Sequence, residues 1–194
     1  MYDGEEYVCR LLQSAQAGHI PTEVYAVHTG TEADLIALKL NDTRDFMKKL
    51  LIENVFDSFQ LSEASVTTFT TFHIDGTWHP DFFEDDPPAA LNWNLVKPIL
   101  FGIIKGSRTP NHFRIVLKLD TPGAQALLKK AGAENAAVLT DALFLNLTYT
   151  GDTLTCTSGI SMKQFTMDKT ADRLWDEAVR RFFQKHQISF ELLS

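Results

Sequence analysis

The sequence predicts an α+β fold: a mostly antiparallel sheet carrying three helices. Three observations lead there. Stretches with alternating apolar residues, such as "HFRIVLKL" (112–119), recur along the chain in strand-like lengths. "ALFLNLTYTGDTLTCTSG" (142–159) predicts a hairpin: a Gly-Asp turn places Leu145, Leu147, Tyr149, Leu154 and Cys156 on one face. Residues 169–186 carry one continuous helical stripe of Ala171, Leu174, Trp175, Ala178, Val179, Phe182 and Phe183.

The elements follow in order. Residues 1–34 are weakly patterned, with one short helix permitted by Val8, Leu11, Leu12 and Ala15; they predict an appendage to a single domain over 35–194. "LIALKL" (35–40) is a strand with Ile36, Leu38 and Leu40 on one face. Asn41 or Asp42 can cap a helix whose apolar side is Phe46, Met47, Leu50 and Leu51. "VFDSFQL" (55–61) and "ASVTTFTTFHI" (64–74) are expected strands, and 84–92 a loop. "WNLVKPILFGIIKG" (93–106) fits a buried strand or a short helix with Pro98 in its first turn. A helix over 121–131 stops at Gly132. "MKQFTM" (162–167) and "QISFEL" (187–192) complete the expected strands.

Composition bounds the function. A chain of 194 residues with 44% hydrophobic and 22% charged residues can bury one real core. The net charge of −7 excludes a protein that is basic throughout but permits a local basic face. Cys9 and Cys156 form neither a disulfide framework nor a C-x-x-C pair, which suits a reducing cytoplasm. The acidic start "MYDGEEYVCRLL" is unlike a secretory signal, and no apolar run reaches membrane length, so a cytoplasmic protein is expected.

Two β-α-β-β stretches, about 35–83 and 111–167, suggest an internal repeat: "IALKLN" (36–41) matches "IVLKLD" (115–120), and each following helix carries a lysine pair, Lys48-Lys49 and Lys129-Lys130. That order is similar to a single domain of a DNA sliding clamp, where helices bearing lysines face nucleic acid. A single such domain could not encircle a duplex, so on that expectation it either self-associates or binds no tighter than about micromolar. The phrases "FMKKLL", "FDSFQLSEASVTTFTTFHIDG", "IIKGSRTPNHFRIVLKL" and "TCTSGISMKQFTMDK" resemble the recurring segments of an uncharacterised bacterial family, DUF5721, from about Leu35 to Glu191. That resemblance implies no activity, substrate or catalytic residue.

Candidate sites are few. In "FHIDGTWHPDFFEDD" (72–86), a two-residue Asp75-Gly76 turn would make a hairpin with His73 and His79 on opposite sides. Only a three-residue loop would align His73, His79 and Asp81 for a metal, so the bland hairpin is expected and no metal or cofactor is assigned. "KGSRTPNHFRIVLK" (105–118) offers Lys105 and Arg108 beside a Gly-Ser turn, then His112, Arg114, Val116 and Lys118 on one strand face. Such a turn can hold a phosphate, though the P-loop spacing is absent. Cys156 belongs to the expected core, and Ser158 has no base nearby in sequence. Glu63 and Asp57 could pair as carboxylates. The leading expectation is a non-catalytic binding module for an anionic partner, nucleic acid included, through Lys48, Lys49, Lys129, Lys130, Lys105, Arg108, Arg114 and Lys118. The alternative is a metal-dependent enzyme built on His73 and His79.

Overall fold

A computed structural model describes residues 36–77, 79–82, 90–105 and 108–193. The appendage expected over 1–34 and Trp78 lie outside them; the described residues all belong to one compact unit, Asp34–Ser194. It contains the strands β1 (Ala37–Leu40), β2 (Gln60–Thr67), β3 (Thr71–Ile74), β4 (His112–Leu119), β5 (Thr140–Thr150), β6 (Thr153–Met162) and β7 (Phe190–Leu192). The helices are α1 (Thr43–Leu51), α2 (Trp93–Ile104), α3 (Thr121–Lys130), α4 (Glu134–Leu139) and α5 (Thr170–Lys185). The α+β class holds, with two more helices than expected among the described residues.

All seven strands form one antiparallel sheet in the order β3-β2-β4-β5-β6-β1-β7. Register explains how one face becomes the core. Leu38, Cys156, Leu147, Ile115 and Ala64 fall in one cross-strand row, and Leu40, Leu154, Tyr149, Phe113 and Val66 in the next. All are buried, in a single apolar cluster with Phe46 and Leu50 of α1, Trp93 and Leu100 of α2, and Trp175 and Phe183 of α5. The helices therefore cover that face, while period-two alternation turns Lys39, Thr155, Thr148, Arg114 and Ser65 to the other. The two β-α-β-β stretches keep their order but not their pairing. β4 pairs with β5, whereas β4, β5 and β6 lie between β1 and β2.

Local chemistry accounts for the helix ends. Asp42 caps α1 by accepting from the Asp45 amide at 2.9 Å, and Asp120 caps α3 by accepting from the Gly123 amide at 3.0 Å. The β5–β6 turn uses positive φ at both Gly151 (56°) and Asp152 (65°), the tight hairpin turn that matches strand twist.

Several expected elements differ. Within "WNLVKPILFGIIKG", Trp93–Ile104 is helical: Trp93, Val96, Lys97 and Leu100 are buried at i, i+3, i+4 and i+7. A lysine in a core position conceals that period from a reading based on apolar residues. Pro98 sits beyond the first turn rather than in it; it and Asn94 face solvent, where water can serve the carbonyl that proline leaves without a donor. Residues 55–59 form turns, not a strand, because Phe56 and Phe59 are both buried three residues apart. Residues 64–74 break at Thr68–Thr70 into β2 and β3, leaving Phe69 at the exposed tip. Beyond Met162, the last residue of β6, the chain leaves the sheet, so 163–167 is loop rather than strand, with Phe165 and Met167 exposed.

Among the described residues the expected hairpin around Asp75-Gly76 does not form: β3 pairs with β2, and no strand after the turn pairs with it. Gly76 (φ 71°) instead abuts the irregularity in β2 between Leu61 and Glu63: a Cβ there would stand 2.1 Å from the Ser62 carbonyl oxygen. Its missing side chain is required by this close approach.

Candidate anion-binding pocket

The helix α1 presents Arg44, Met47, Lys48 and Leu51 along one side, at the i, i+3, i+4 spacing of a helical face, and its C-cap Ile52 follows on. Opposite stand Phe101, Ile104 and Lys105 at the end of α2, followed by Arg108, Thr109 and Pro110 on the way into β4. Between them opens a pocket of about 680 Å³. Its floor is Phe113 of β4 and Tyr149 of β5, stacked with centroids 5.3 Å apart and planes 13° from parallel. The sheet's core face thus continues into the floor, and both rings are themselves buried at the base of the cleft.

The pocket is chiefly apolar below and cationic at the mouth. Arg44, Lys48, Lys105 and Arg108 all line it, and no carboxylate does so among the described residues. Lys48 also bridges to Glu53 at 3.0 Å; the hydrogen bond and charge of Glu53 hold its pKa above the ordinary lysine value. The Lys105 ammonium lies 5.6 Å from the Phe101 ring centroid, over its face. Among the described residues Arg44, Lys105 and Arg108 enter no ion pair. The Tyr149 hydroxyl donates to Asp152 at 2.9 Å, which raises its pKa and ties the floor to the β5–β6 turn.

The eight cations singled out in the sequence divide into groups. Lys48, Lys105 and Arg108 converge on the pocket, joined by Arg44. Lys49 is mostly buried and bound to Asp45 one turn earlier. Lys129 and Lys130 are exposed at the end of α3, which packs on α4 and α5, whereas α1 packs on α2. The two lysine pairs thus sit on helices with different neighbours. Arg114 and Lys118 occupy the sheet face opposite the helices, and Arg114 is paired with Glu63. The "KGSRTPNHFRIVLK" constellation is consequently split across two faces.

The remaining candidates find structural partners. His73 is an exposed residue of β3 opposite Ser65, and His79 lies in the following loop. Among the described residues no three His, Cys, Asp or Glu side chains, Asp81 included, come together in a group able to hold a metal. Asp75 accepts from the Thr77 amide at 3.0 Å. Asp57 and Glu63 do not pair with each other; each has its own cation, Lys97 for Asp57 and Arg114 for Glu63. Cys156 is fully buried, and burial pushes its thiol up to about 12, far from a reactive thiolate at neutral pH.

The cationic rim of this pocket is visible in the sequence in part, and the floor is not. Arg44 and Lys48 beside Met47 and Leu51 were a visible signal of a helix side that is half basic and half apolar. Phe113 and Tyr149 carry no signal, since their alternation looks like any core strand.

An open seven-stranded antiparallel sheet with helices on one face, and a basic-mouthed apolar pocket at its end, defines the class of domain. The chain belongs to a family of unknown function (DUF5721), whose family model matches residues 49–191. The match begins within α1 rather than at Leu35. The chain has no match among curated proteins and none among solved structures. Among the described residues no helix is long and apolar enough to cross a membrane.

Proposed function

We propose that this protein is a non-catalytic binding module for an anionic partner, held at the mouth of the pocket between α1 and α2. The observation that carries this reading is the convergence of Arg44, Lys48, Lys105 and Arg108 on one concave site in a chain of net charge −7. Concentrating cations against this overall charge is worthwhile only where an anion is to be held, because like charges around a low-dielectric wall repel one another. Arg44 and Arg108 supply the planar donor forks that suit carboxylate and phosphate oxygens.

The test is amide chemical-shift mapping with octyl phosphate at low salt. Shifts concentrated in residues 43–52 and 101–110 support the reading, as does their loss in a Lys105→Glu/Arg108→Glu variant. Shifts confined to Arg114–Lys118, or to Lys129 and Lys130, would move the site and overturn this assignment.

A further inference from the structure

Resting on the anion-binding reading, we propose that the pocket's ligand is an amphiphile: a linear acyl or alkyl chain ending in a carboxylate or phosphate. The chain lies on the floor and the anionic head meets the cations at the mouth.

The floor rules in a chain by what it lacks. Its walls are Met47, Leu51, Ile52, Phe101 and Ile104 over the Phe113–Tyr149 stack. The side-chain hydroxyls among its lining residues are those of Thr43, Thr109 and Tyr149, and Tyr149 is committed to Asp152. A nucleobase edge or a peptide backbone placed here would leave donors and acceptors without partners, and each such group is costly to desolvate. Saturated carbon brings no such demand. Met47 adds an unbranched, adaptable wall suited to chains of differing length. The volume of about 680 Å³ lies within the range of small-molecule sites. Inorganic phosphate alone would use the mouth and leave the apolar floor wet.

Charge is placed only where the head would sit. Three of the four cations at the mouth, Arg44, Lys105 and Arg108, have no ion-pair partner among the described residues. Carboxylate and phosphate heads share this chemistry, and they separate by experiment.

The experiment is calorimetric titration of the full chain, below micelle concentrations, with hexanoate, octanoate and decanoate, the matching alkyl phosphates, decanol, and inorganic phosphate. The expected result is one site per chain, with affinity rising about fourfold for each methylene that reaches the floor. Decanol should bind at least about tenfold more weakly than decanoate, the difference reporting the head group. The stronger of the carboxylate and phosphate series identifies the natural head. A Lys105→Glu/Arg108→Glu variant alters two exposed residues and should bring decanoate down to the level of decanol. A Met47→Trp variant, which fills part of the apolar cavity, should weaken every chain, decanoate more than hexanoate.

Affinity independent of chain length, with inorganic phosphate matching decanoate, would overturn the amphiphile and leave the anion-binding reading standing. Decanol binding as tightly as decanoate, or no binding by any probe, would overturn both.

Discussion

The Ser158 hydroxyl on β6 donates to the Asp176 carboxylate on α5 at 2.5 Å, and both residues are buried. Asp176 also accepts the Ile36 backbone amide, so one carboxylate joins β6, α5 and the entry to β1. Burial raises its pKa above the ordinary aspartate value, the hydrogen bonds opposing that shift in part. With the folded pKa above the unfolded one, the favourable contribution is complete below about pH 4, the unfolded value, and declines as pH rises through the folded value. Asp176→Asn keeps an acceptor and has no charge to desolvate. Its unfolding free energy should gain on the unmodified protein's as pH rises from about 4 to neutrality. Parallel stability curves in urea across that range would refute this. Asp176→Ala should cost about 1–3 kcal/mol at every pH, because Ser158 and Ile36 lose their acceptor.

Lys97 is a buried cation with its needs met. It donates to Asp57 at 2.6 Å, to the Glu53 carbonyl at 2.9 Å and to Asn54 at 3.2 Å, pinning the 53–57 turns beneath α2. Lys97→Met keeps the apolar stem and strips three acceptors of their donor, so a loss of about 2–4 kcal/mol is expected in urea denaturation. Adding Asp57→Asn to Lys97→Met should recover part of it. Additive losses would mean that the pair is not coupled.

Trp175 packs into the main core and donates its indole N–H to the Phe144 carbonyl at 3.0 Å. Trp175→Ala should cost about 3–5 kcal/mol in the same measurement. A loss below about 1 kcal/mol would show that the cluster closes around the cavity and that α5 is held by other contacts.

Two glycines separate strain from close approach. Gly76 combines φ 71° with the Ser62 carbonyl in the space a Cβ would need, while Gly151 has φ 56° and nothing within 4 Å. Gly151→Ala should cost about 1–2 kcal/mol from backbone conformation alone. Gly76→Ala should cost clearly more, at least about 3 kcal/mol, since strand β2 must move as well. Equal losses would show that the segment after β3 yields freely.

The hairpin of β5 and β6 and the helix α5 were legible because their periodicity is strict and their partners are near in sequence. Leu147 and Tyr149 meet Cys156 and Leu154 across a two-residue turn, and Leu145 meets Ser158, so local pattern fixes register. The helix α2 was ambiguous because Lys97 occupies a core position and satisfies itself with acceptors some forty residues away. In β2 and β3, threonines with strand propensity run through a turn, and propensity cannot mark where the core ends. The pocket was half visible for a similar reason. Its basic helical side is written in Arg44 and Lys48, but Phe113 and Tyr149 become a floor only because α1 and the end of α2 flank them, which is a fact of tertiary placement.

The position of β1 has a consequence for how the protein is made. Leu38 pairs with Cys156 on one side and Leu192 on the other. During synthesis this early strand waits, with both edges unpaired, until nearly the whole domain has left the ribosome. The β4–β5–β6 meander can assemble first from neighbours in sequence, whereas closure of the sheet around β1 joins residues far apart in the chain, the kind of contact that slows folding. Until then the apolar side of "LIALKL" is an adhesive edge, open to chaperones and to other nascent copies alike.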